Sequence, residues 1–135
     1  MADHRQMLVN LDRAMAELES YAALPIVHRR DKAGLIQAFE FTFELFWKTF
    51  QKLAPEAGLE AASPRESLAA GVKLHLIEVG ESGDWPQMLR DRDLTSHTYN
   101  AAVLDEILER LLSRYLPRFR ATRARVETVL SSSSA

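Results

Sequence analysis

Arg92-Asp93-Leu94-Thr95-Ser96-His97-Thr98-Tyr99 places an arginine, a histidine and a tyrosine within eight residues. Arginine is a permanent, forked cation suited to phosphate, and histidine is the side chain best placed to move protons near neutral pH. Spacing restrains that chemistry. Arg92 and His97 are five positions apart. At ~100° per residue they point about 140° apart on a continuous helix. They converge only if the helix breaks between them or if two copies meet at a symmetry axis. Leu94-Thr95-Ser96 is the expected break, because Thr and Ser compete for backbone hydrogen bonds. The plainer reading pairs Arg92 with Asp91 or Asp93 and leaves His97 as a polar residue at a helix junction. Tyr99 reads either as amphipathic packing or as a hydroxyl beside His97, open to modification.

Other residues invite and then limit chemical readings. Asp91-Arg92-Asp93 looks like an Asp-x-Asp pair for Mg²⁺, with Gly80 to Gly83 as a preceding turn. Residues two apart share a face on a strand but diverge by ~200° on a helix, and the surroundings are helical. Glu40, Glu44 and Lys48 follow at i, i+4 intervals, which is an ordinary helical ladder. Their neighbours Phe39, Phe41, Phe43 and Trp47 make unpartnered carboxylates costly there, and Arg92 is a candidate partner. His4, His28 and His75 share no metal-ligand spacing and read as surface or helix-end residues, so no metal or cofactor is expected. Arginines 110, 114, 118, 120, 123 and 125 make the C-terminal end basic. That end reads as a solvated helix face or as a weak phosphate-binding surface.

The elements that must position these groups are helical. Residues 3–22 carry Met7, Leu8, Leu11, Met15, Leu18 and Tyr21 on one face, closed by Pro25. Residues 29–53 carry Leu35, Ile36, Phe39, Phe43, Phe46, Trp47, Phe50 and Leu53. Phe41 lies off that stripe, so burial on a second side is expected. Ser63-Pro64-Arg65-Glu66 has a cap, a first-turn proline and a capping-box glutamate. That helix is expected to pass Leu76 and break at Gly80 and Gly83. Asp84-Trp85-Pro86-Gln87 repeats the start signal. The last helix starts at Asn100 and keeps a three-four rhythm from Val103 to Phe119, with a bend expected at Pro117. No segment alternates with a period of two. The expected fold is an all-α, up-and-down four-helix-type bundle with an extra short helix. It forms a single domain over 1–130, followed by a disordered Ser-rich tail at 131–135.

Composition supports one soluble domain. The chain has 135 residues, 47% of them hydrophobic, and a net charge of -2. Bulk charge therefore argues neither for nor against nucleic acid. There are no cysteines, which excludes disulfides and thiolate chemistry. No apolar run reaches the ~20 residues of a membrane span, and no signal-peptide pattern opens the chain, so a cytoplasmic location is expected.

Phe39-Glu40-Phe41-Thr42-Phe43-Glu44-Leu45-Phe46-Trp47-Lys48 resembles the signature of the nucleotidyltransferase substrate-binding protein family. Ser63-Pro64-Arg65-Glu66, the block from Met88 to Tyr99, and Arg114-Tyr115-Leu116-Pro117 resemble its further motifs, in order, across roughly residues 5–120. The family commonly has asparagine at Asp93 and aspartate at Asn100. The resemblance implies a helical bundle that forms homodimers, with a separately encoded minimal nucleotidyltransferase as partner. It also places the chain near the wider HEPN group, whose ribonuclease members carry Arg-x4–6-His. Arg92, His97 and Tyr99 resemble the Arg-x4-His-x-Tyr form of HepT-like toxins, whose partner modifies the tyrosine.

Three functional readings follow. In the first, a dimer docks a nucleotidyltransferase and binds a nucleotide or phosphorylated substrate through Arg92, His97, Tyr99, Glu44 and Lys48. In the second, the chain is a metal-independent ribonuclease, the toxin of a toxin–antitoxin pair, with Arg92 holding RNA phosphate and His97 moving the proton. A plain helical adaptor is the third.

Overall fold

Apolar residues at three- and four-residue intervals form helices where the spacing places them. The computed structural model describes residues 4–97 and 100–133. Its helices are α1 (Arg5–Ala22), α2 (Arg29–Leu53), α3 (Pro64–Lys73), α4 (Asp84–His97), α5 (Ala101–Arg110) and α6 (Leu116–Ser133). Short 3₁₀ turns cover Ala54–Ala57 and Val79–Glu81, and among the described residues there is no strand. The fold is an all-α bundle, in which α2 packs against α1, α3, α4 and α5. Ser134 and Ala135 of the expected tail lie outside the described residues.

The core is aromatic. Phe39, Phe43, Phe46 and Phe50 of α2 meet Trp85 of α4, Tyr115 and Phe119, all fully buried. Phe46 and Phe119 stack with centroids 5.0 Å apart and planes 7° apart. Trp85 stands edge-on to Phe46, Phe50 and Phe119 at 5.5–5.7 Å. Offset and edge-to-face pairs of this kind each add about 0.5–1.5 kcal/mol beyond area burial.

The helix ends follow the cap chemistry in part. Ser63 accepts the backbone N–H of Glu66 at 3.1 Å. Glu66 reaches the N–H of Ala62 at 3.1 Å, one residue beyond the expected partner. Asn100 accepts from Ala102 and Val103 at 3.0 and 3.2 Å. His28 precedes α2, where the Asp31 carboxylate accepts its N–H at 2.7 Å.

Four expectations are corrected. The helix carrying Leu76 ends earlier, at Lys73. His75 takes a positive φ of 62° there, and the N–H groups of Leu76 and Ile77 both return to the Gly71 carbonyl. The turn tucks Leu76 and Ile77 into the core. A Cβ at Gly71 would lie 2.9 Å from Ile77 Cδ1 and 3.1 Å from the Phe50 ring, so a larger residue would require Ile77 or Phe50 to shift. The second correction is Gln87, which does not reach back as a cap. It donates to Asp91 at 3.0 Å and accepts from Arg90 at 2.7 Å. Asp84 instead accepts from Arg114 and from Arg118. Third, Phe41 is 53% exposed, so α2 is not buried on that side. Fourth, α4 does not break at Thr95-Ser96. Each hydroxyl shares its one proton between the Arg92 carbonyl within the helix, at 2.8 and 3.2 Å, and the Glu40 carboxylate across from it, at 2.9 and 3.4 Å.

Pro117 is accommodated by a π-helical turn. Leu111–Tyr115 forms that turn between α5 and α6, and the N–H of Leu116 bonds to the carbonyl of Leu111. The wider i→i+5 closure lies immediately before the proline, which then occupies the first turn of α6.

Candidate functional site

The site is built on a buried carboxylate. Asp91 sits on the inner face of α4 with no solvent exposure. Arg110 binds it through two nitrogens, at 2.9 and 2.8 Å. The Tyr115 hydroxyl donates to it at 2.5 Å. Arg110 closes α5 and Tyr115 closes the π turn, so the two are five residues apart. The π turn brings that spacing onto one carboxylate. This cluster fixes the rotation of α4 about its axis. With Asp91 held inward, Arg92, Thr95 and Ser96 lie together on the side facing α2.

The same cluster gives the fold a pH dependence. Burial, and then the Asp91 carboxylate, raise the Tyr115 pKa above the ordinary phenol value of 10.0. Below about pH 10 both folded and unfolded chains keep this proton, and its contribution to stability is intact. As pH rises past that value the unfolded chain ionises first, so stability falls. Denaturant titrations should show unfolding free energy declining from about pH 10 upward, with a shallower decline in Tyr115→Phe. Identical slopes in the two proteins would contradict this assignment.

Between α1, α2 and α4 lies an open pocket of about 510 Å³. Its walls include Glu17 and Tyr21 of α1, Gly34, Glu40, Phe41 and Glu44 of α2, and Arg92 and Ser96 of α4. Each helix contributes a ridge of i, i+3 or i+4 neighbours, which is what lets three helices share one hollow. Arg92 and Glu44 therefore line one pocket, but each has its ion-pair partner on its own helix. Arg92 has Asp93 at 3.4 Å. Lys48 stands outside the lining, 3.2 Å from Glu44 and 5.9 Å from the Trp47 ring centroid. His97 is exposed at the last position of α4. Because α4 is unbroken, Arg92 and His97 diverge within one protomer, and the phosphate-plus-proton pair does not assemble there. Tyr99 lies outside the described residues.

The basic C-terminal end is not a free phosphate surface. Arg110, Arg114, Arg118, Arg120, Arg123 and Arg125 each contact a carboxylate: Asp91, Asp84, Asp84, Glu19, Asp12 and Glu81 in turn. Most of those acids belong to other helices or turns, so the arginines tie the bundle together. Among the described residues, no group of three or more His, Asp or Glu side chains is placed to hold a metal. None of the described helices is long and apolar enough to cross a membrane.

Residues 6–128 match the family described as nucleotidyltransferase substrate binding protein like. The chain belongs to this family. A crystal structure of a protein from Thermus thermophilus has the same fold, with a TM-score of 0.77 and 33% sequence identity. The match covers 86% of this chain and 98% of that one. No match was found among curated proteins. For this member of the substrate-binding family, sequence reasoning missed Asp91, Arg110 and Tyr115 as one unit. Their apolar rhythm and charge were visible, but a π turn leaves no local signal beyond a following proline. It also missed Glu17 and Tyr21, whose part in the pocket depends on how α1 packs on α2.

Proposed function

We propose that this chain is the substrate-binding partner of a separately encoded nucleotidyltransferase. It works as a homodimer, and the α1–α2–α4 pocket holds the substrate. The observation that carries this reading is the pocket itself. Its about 510 Å³ is the size of a small-molecule site, and it gathers Arg92 and Glu44 from two helices in a chain of this family. Arg92 and Glu44 orient the substrate from the walls, with Lys48 and His97 flanking them. Tyr99, two residues beyond His97, is the candidate for modification by the partner.

The nature of Asp91 supports an accessory role. A carboxylate buried beneath Arg110 and Tyr115 cannot join Asp93 in holding a catalytic metal. Transfer chemistry on this reading belongs to the partner. The ribonuclease reading would need Arg92 of one protomer and His97 of another, since one unbroken helix separates them.

Co-expression with a separately encoded minimal nucleotidyltransferase from the same genome tests the proposal. Size-exclusion chromatography should show both chains in one peak, at a mass above that of a homodimer of this chain. Two independent peaks at micromolar concentration would overturn the pairing.

A further inference from the structure

We infer that the molecule seated in the α1–α2–α4 pocket carries a protonated amine on a small ring or chain, and not a phosphate. This rests on the proposal that the pocket is the substrate site.

The hollow offers an aromatic shelf beneath an electrostatically negative wall. Phe41 is 53% exposed and Tyr21 is 40% exposed, and both line the cavity. Large apolar side chains left this open at the mouth of a concave site are surfaces for an apolar body. Around them stand three carboxylates, Glu17, Glu40 and Glu44, against the single guanidinium of Arg92.

The described partners leave that imbalance in place. Glu40 accepts from the neutral hydroxyls of Thr95 and Ser96, at 2.9 and 3.4 Å. Glu17 accepts from the neutral hydroxyl of Tyr21 at 3.2 Å. Neutral donors orient a carboxylate without cancelling its charge. Glu44 has Lys48 at 3.2 Å, but Arg92 in turn has Asp93 at 3.4 Å. Those two outer partners add one cation and one anion, so the excess of negative charge persists.

A phosphate would enter against three like charges for one attractive contact. An ammonium gains from each carboxylate and also from the aromatic faces, through cation–π attraction. The hydroxyls that hold Glu40 also tether α4 to α2 beside the pocket, so the wall is preformed.

Tyramine, tyrosol and phenyl phosphate test the charge with one ring size. Tyrosol has the tyramine skeleton with a hydroxyl in place of the ammonium. Binding of each to the full-length protein is followed by calorimetry and by NMR shifts of Tyr21, Phe41 and Arg92. Tyramine should bind about 5-fold more tightly than tyrosol, and Glu40→Gln should weaken tyramine about 3-fold, as expected for a partly exposed ion pair. Glutamine still offers an oxygen to Thr95, so α4 keeps its tether; Glu44→Gln is the second variant, with the same expected effect. Equal affinity for tyramine and tyrosol would overturn the inference. Phenyl phosphate binding best at these residues would also overturn it and leave the pocket as the substrate site. If none of the three probes shifts the pocket resonances, both the inference and the pocket reading fall.

Discussion

Asp91→Ala should destabilise the protein by about 3–5 kcal/mol, the cost of removing one partner from a buried ion pair. For a chain of this length that corresponds to a fall in Tm of roughly 10–20 °C. The reason is what the substitution leaves behind. Arg110 loses two hydrogen bonds and Tyr115 loses its acceptor, and Tyr115 is fully buried. Asp91→Asn keeps an acceptor oxygen and should cost about half as much. Replacing the whole cluster, as Asp91→Leu with Arg110→Met and Tyr115→Phe, should recover most of the loss, because the one donor left without Asp91, the Gln87 amide, is only half-buried. Thermal unfolding followed by circular dichroism decides the matter. A shift of under about 3 °C for Asp91→Ala would remove this cluster as the anchor of α4. The consequence for the site is direct, since Asp91 sets which way Arg92 points.

Trp85→Ala should cost about 3–5 kcal/mol, the range for deleting a large aromatic side chain from a core. Trp85 is in edge contact with Phe46, Phe50 and Phe119, so its removal opens a cavity among rings that cannot collapse onto one another. Trp85→Phe should be far milder. Nε1 of Trp85 is buried and has no hydrogen-bond partner among the described residues. Phenylalanine removes that stranded donor, which offsets part of the lost packing. The expected net cost is about 1 kcal/mol, as the difference between a small cavity and a relieved donor. Denaturant midpoints for the two variants give the comparison. Equal losses for Ala and Phe would mean that the indole N–H contributes to stability after all.

Much of the fold was legible because its signals are local. Ser63 and Asn100 cap helices as their side chains require, and the bounds of α2 follow its apolar stripe from Arg29 to Leu53. Errors arose where a distant group outcompeted a local one. Asp84 accepts from Arg114 and Arg118, thirty and thirty-four residues away, in place of forming a capping box with Gln87. Thr95 and Ser96 do bond to the backbone, as expected of them, but to the Arg92 carbonyl inside a helix that Glu40 also holds.

Two pairs of residues five apart mark the boundary between what sequence and tertiary structure decide. Arg92 and His97 lie on a regular helix, where ~100° per residue keeps them apart. Arg110 and Tyr115 span a π turn and converge on Asp91. Sequence alone determined the all-α class, the apolar faces and most helix starts, and the identity of the charged groups, because capping and amphipathic spacing act within a few residues. Only tertiary structure decided which charges face each other. A buried carboxylate takes its partners from whichever helices pack around it, and that packing set the phase of α4 and placed Arg92 opposite Glu40 and Glu44.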